Sequence, residues 1–224
     1  MESDKNNLWS FGCSFAAGTQ CNPGERYYDE YPLMRGKKFT TLLSEKYDLE
    51  LNDLSIPGTC NEIILYKIIE TIPYMSEGDI VIIGQTLPTR TFLFNPEYNW
   101  FGKDHNRPTD SKYIPISGNN IGGKLKTKRY SDKFINSYME VHHTSRINME
   151  RALNIYYNDF FKNVKKIIEG KKCKCFIWDN TLWGKFHTVK ESTNGLIDDG
   201  HYSWQGHHEL YDYLRKRIDL SLNQ

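Results

Sequence analysis

The chain has 224 residues, enough for one α/β domain with a well-filled core. Its formal net charge is only +1, so no basic field argues for nucleic acid as the main partner. The apolar runs are far too short to span a membrane, and the opening MESDKNN has no apolar stretch of a secretory signal. The five cysteines are odd in number and scattered rather than framed, so reduced thiols and a cytoplasmic setting are expected. The many Lys, Asn, Ile and Tyr residues suggest an AT-rich coding genome, bacterial or phage.

In chain order, Leu8-Trp9-Ser10-Phe11 reads as a short buried strand that stops at Gly12. Cys13, Ser14 and Phe15 follow, then Ala16, Ala17 and Gly18. Here Gly12 is read as the residue that lets the backbone turn sharply and approach a ligand, and Ser14 as standing at the strand tip. Residues 19–36 read as a loop over the sheet edge. Residues 37–47 carry Phe39, Leu42 and Leu43 at helical spacing, and 49–54 alternate as a strand. After the turn Ser55-Ile56-Pro57-Gly58-Thr59-Cys60-Asn61, a helix is predicted over 62–72, capped by Asn61 or Thr59. Ile63, Ile64, Ile68 and Ile69 are its core face. Ile80-Val81-Ile82-Ile83 is the most apolar β-branched run, a central parallel strand ending at Gly84-Gln85-Thr86.

Residues 88–146 differ in character, rich in Asn, Gly, Pro, Lys and Tyr with little periodicity. They read as an insertion or lid with a small helix near 132–139. The Lys124–Arg129 cluster reads as a solvated hairpin and His142-His143 as a surface pair. A long amphipathic helix is predicted over 148–170, with Leu153, Tyr156, Phe160, Val164 and Ile167 as its stripe and Gly170 as its C-cap. A buried strand follows at 173–178, where Cys173 and Cys175 share one face. A Cys-x-Cys pair can bind metal, but no second pair sits at a suitable spacing, and core cysteines are the plainer reading. Neither a metal nor a cofactor is expected. Ser203 caps the last helix, 204–220. Strands alternating with helices imply one α/β domain with a parallel sheet covered on both faces.

In a parallel sheet all carboxyl ends lie on one side, so three turns should converge: Gly12-Cys13-Ser14, Pro57-Gly58-Thr59 and Gly84-Gln85-Thr86. Asp198 and His201, three residues apart, can share one tight turn. There the carboxylate would hold the imidazole tautomer and leave the other ring nitrogen free to take a proton from Ser14. The Ser14 and Gly58 N–H groups are candidate oxyanion donors, and Gln85 or Thr86 a third. Taken singly, each has a structural reading as cap, turn former or core residue.

The order FGCSFAAG, SIPGTCN, IVIIGQT and DDGHYSWQGHHELYDYL resembles the SGNH (GDSL-like) hydrolase family over nearly the whole chain. The most specific piece is Asp198-x-x-His201-x-Ser203-x-x-Gly206-His207. The resemblance implies a flavodoxin-like three-layer α/β/α fold with a central parallel sheet. It also implies Ser14 as nucleophile, His201 as general base, Asp198 as its orienter, and Gly58 as second oxyanion donor. Two departures stand out. Cys13 replaces an acidic residue before the serine, and Thr86 stands where the family offers an asparagine. Its hydroxyl reaches less far than an amide; Gln85 or Asn61 are possible substitutes.

The activity so implied is a serine esterase or deacetylase acting on a small-molecule or glycan ester. Tyr98, Trp100, Phe101 and Tyr113 suggest a sugar or other flat polar acceptor, and Arg90 an acidic group on it. The alternatives are a catalytically weak or inactive binding module for glycan or protein, and an O-acyltransferase using the same site. Oligomeric state is not legible.

Overall fold

A computed structural model describes residues 5–18, 36–94, 113–116, 148–185, 202 and 204–223, with isolated positions between 133 and 145. The central sheet is built from β1 (Asn7–Phe11), β2 (Glu50–Asp53), β3 (Ile80–Gly84) and β6 (Lys174–Trp178). All are parallel, in the order β2-β1-β3-β6. A second, two-stranded antiparallel sheet pairs β4 (Thr91–Phe94) with β5 (Tyr113–Ile116).

The sheet reads 2-1-3 because the chain steps from β1 outward to β2, then back over β1 to β3. A right-handed crossover puts its helix on one face when the chain moves one way and on the other face when it moves back. Helix α1 (Ser14–Ala17), α2 (Phe39–Tyr47) and α5 (Trp204–Leu222) accordingly cover one face, with Phe39, Leu43, Leu210, Leu214 and Ile218 packed on Leu8, Ile80, Ile82, Phe176 and Trp178. Helices α3 (Asn61–Thr71) and α4 (Glu150–Gly170) cover the other, with Ile64, Leu65, Ile68, Tyr157, Phe161, Val164 and Ile168 packed on Phe11, Val81, Ile83 and Cys175. This is a flavodoxin-like three-layer α/β/α fold. Its direction of travel reverses between β1 and β3, which is where such sheets open a crevice at their carboxyl ends. Among the described residues no helix is long and apolar enough to cross a membrane.

Three expectations need correction. The stripe of α4 is Tyr157, Phe161, Val164 and Ile168, while Tyr156, Phe160 and Ile167 are exposed. The sequence carries apolar doublets at 156–157, 160–161 and 167–168, so periodicity fits either register, and contact with the sheet decides. The same ambiguity at Ile68-Ile69 leaves Ile69 exposed and brings Leu65 into the core instead. Gly170 is the last helical residue rather than the C-cap; Lys171 holds that place and Lys172 takes the positive φ of 63°. Within 88–146, where periodicity is weak, β4 and β5 form a ribbon. The described positions 133, 134, 137 and 138 are helical, as expected there, whereas Lys124–Arg129 and His142-His143 lie outside the described residues.

The amino end of the sheet is tied by one carboxylate. Asp79, fully buried at the start of β3, accepts from the Asn7 N–H at 2.7 Å and the Trp9 indole at 2.7 Å. It also accepts from the Ser76 N–H at 3.0 Å and the Asn7 side chain at 3.3 Å. No cation is bonded to it among the described residues; neutral donors replace its hydration. Asp79→Ala would leave these donors buried and unmatched. A loss of about 3 kcal/mol in unfolding free energy is expected, measured by urea denaturation.

Candidate active site

The three strand-end turns do meet, and backbone chemistry holds them. The Ile56 N–H donates to the Gly12 carbonyl at 2.9 Å, joining the second turn to the first. A Cβ placed on Gly12 would lie 2.5 Å from the Ala16 Cβ and 3.3 Å from the Gly84 carbonyl oxygen. Gly12 is therefore needed for closeness; its φ is not among the positive ones. One on Gly84 would meet the Trp178 indole at 2.6 Å. The two glycines let α1 and an indole lie against the carboxyl ends of β1 and β3.

Asn61 joins the second turn to the third. Its amide donates to the Thr86 carbonyl at 3.1 Å and its carbonyl accepts from the Thr86 N–H at 2.9 Å, all buried. It is not a cap, as expected, but the first residue of α3. The N-cap is Cys60, with no side-chain cap bond. Thr59 donates its N–H to Ile56 at 3.2 Å, and Arg90 reaches the Thr59 carbonyl at 3.5 Å.

The predicted site residues stand as follows. Ser14 opens α1 and is 5% exposed. Among the described residues its N–H and hydroxyl have no hydrogen-bond partner, and the Gly58 N–H has none. Gly58 adopts φ 76°, with open space where a Cβ would be. Thr86 is 1% exposed, its hydroxyl buried without a partner among the described residues; Gln85 is buried beside it and donates its N–H to the Trp178 carbonyl at 2.9 Å. Arg90 is half-buried on the way into β4. Asp198, His201 and Ser203, and Tyr98, Trp100 and Phe101 of the aromatic segment, lie outside the described residues.

Their sequence neighbours are described. Tyr202 is fully buried, and its ring packs edge-on against Phe15 at 4.9 Å and against His207 at 5.8 Å. Burial pushes its phenol well above the usual range. His207 stacks on Phe39 at 5.9 Å as a core residue. Cys13, the N-cap of α1, is also buried in this cluster. Burial pushes the Cys175 thiol up to about 12 and the Cys173 thiol up as well, an environment for inert core thiols rather than thiolate ligands.

The sequence matches no protein-family model and no curated protein. Among solved structures the chain is similar to a crystal structure of protein YxiM from Bacillus subtilis, at 10% identity and a TM-score of 0.36. The likeness covers 95% of this chain and 42% of that one, so the chain spans less than half of that protein's length.

Asn61 was singled out in sequence as a cap or a donor, but its clamping role was not legible. Asn61→Ala would strand a buried N–H and a buried carbonyl on Thr86. It is expected to lower the unfolding free energy by about 2 kcal/mol or more, read from the shift in urea midpoint.

Proposed function

We propose that the chain is a serine hydrolase of ester bonds, an esterase or deacetylase working through Ser14, His201 and Asp198. The observation that carries the reading is the contact of Tyr202 with Phe15. Tyr202 adjoins His201 in sequence and Phe15 adjoins Ser14, and the contact of these two neighbours supports a base and a nucleophile that act together. The unspent Ser14 and Gly58 N–H groups supply the second requirement, donors for a developing oxyanion.

In this reading the Ser14 Oγ attacks the ester carbonyl while His201 takes its proton, and Asp198 holds the imidazolium. The carbonyl oxygen gathers negative charge against the two N–H groups. Collapse expels the alcohol, which leaves with the proton from His201. Water then attacks the acyl-enzyme, again deprotonated by His201, and the acid departs as Ser14 regains its proton. Thr86 serves as third donor through its hydroxyl, with Gln85 beside it. Asn61, whose amide is already engaged with Thr86, acts by holding that turn rather than by meeting the oxyanion.

A polar, flat acceptor such as an acylated carbohydrate suits the aromatic segment. The β4–β5 ribbon leaves the sheet just after Thr86, and Tyr113, Tyr98, Trp100 and Phe101 belong to the chain it begins. Arg90, bonded beside Gly58, is the cation assigned to an acidic group on that acceptor.

Incubation with a small serine-directed phosphonate is expected to add one adduct by intact mass, absent in Ser14→Ala and His201→Ala. A folded wild type without adduct would overturn the enzyme reading and leave a binding module. Thr86→Val separates catalysis from folding. Because the hydroxyl has no partner among the described residues, stability should hold, while hydrolysis of a chromogenic acetate should slow by about 10²-fold.

A further inference from the structure

Helix α1 is a single turn, too short to hold its place by its own hydrogen bonds. Its carboxyl end is closed by Gly18 at φ 70°, whose N–H donates to the Ser14 carbonyl. The stem of Lys38 lies directly over Gly18: a Cβ there would be 3.0 Å from two of its carbons. The Lys38 ammonium then reaches the Ala17 carbonyl at 3.5 Å and bonds one carboxylate oxygen of Asp53. The other oxygen of Asp53 accepts from the Ser55 N–H at 3.0 Å, at the start of the turn that leads to Gly58.

One carboxylate thus faces two ways. Through Lys38 it fixes the end of α1; through Ser55 it fixes the second turn. The pair is largely shielded, its side chains 19% and 15% exposed, so water screens it far less than the neighbouring Lys37–Glu45 pair at 57% and 51%. We propose that the Lys38–Asp53 pair is a positioning device that sets the spacing between the Ser14 and Gly58 N–H groups. The inference rests on the serine-hydrolase reading for its consequence but not for its geometry. Neither residue touches the reacting atoms.

The test compares Lys38→Met, Lys38→Arg and, as control, Lys37→Met. Two readouts are used: the rate of labelling by a small fluorophosphonate, and hydrogen exchange of peptides covering 11–18 and 54–59. Lys38→Met should slow labelling by about 10²-fold, the cost of misplacing donors by roughly an ångström. Lys38→Arg should recover most of the rate, and Lys37→Met should match wild type. Exchange should quicken in both peptides of Lys38→Met, with 80–84 unchanged. Should Lys38→Met not fold, Asp53→Asn, which keeps an acceptor for Ser55, takes its place with the same expectation.

A labelled wild type with an unchanged rate in Lys38→Met, or Lys38→Arg no faster than Lys38→Met, overturns the inference. An unlabelled wild type defeats the serine reading alone. Exchange then decides this one: unchanged protection in 11–18 and 54–59 overturns it, and selective loss sustains it.

Discussion

The carboxyl edge of this sheet depends on how closely β1 and β3 approach where they end. Parallel strands lie about 4.8 Å apart, and a side chain at either end would fill the gap above them. Gly12 and Gly84 leave that gap open; Ala16 lies down over one and the Trp178 indole over the other. The result is a short helix lying on the switch point of a parallel sheet, with Ser14 at its start. A methyl group at either glycine would have to displace a neighbour packed in the core, not a flexible side chain at the surface.

Charge is distributed to match. At the amino end, Asp79 is buried and saturated by four donors, a rigid anchor remote from the crevice. At the carboxyl end the polar groups fall into two sets. Asn61 and Thr86 satisfy each other, and Asp53 satisfies Lys38 and Ser55, so they hold backbone in place. The Ser14 and Gly58 N–H groups and the Thr86 hydroxyl are left without partners among the described residues. The Thr86 hydroxyl is fully buried, and leaving it unmatched costs stability.

Much of the layer order was legible in the sequence. The runs at 8–11, 80–83 and 173–178 are apolar on both faces, which marks strands of a covered parallel sheet, and the glycines that end the first two mark the crevice. What was not legible was anything that depends on a one-residue choice. Tyr156-Tyr157, Phe160-Phe161 and Ile167-Ile168 offer two equivalent stripes to periodicity, and only packing selects between them. Asn61 looks alike in sequence whether it caps a helix, faces an oxyanion or clamps a neighbouring turn. Lys38 and Asp53 are ordinary charged residues fifteen apart; their pairing follows from β2 lying beside β1, which no local pattern encodes. Gly12 was recognised as a point of turning and close approach, but what packs against it, Ala16 and the Gly84 carbonyl, was not legible.

The central claim is that Ser14 is a nucleophile whose oxyanion lies between its own N–H and that of Gly58. A crystal structure of the protein after reaction with a small phosphonate tests this most directly. The account predicts phosphorus bonded to the Ser14 Oγ, with the phosphonyl oxygen about 3 Å from both N–H groups. An adduct on another residue, or a phosphonyl oxygen turned away from Gly58, would contradict it.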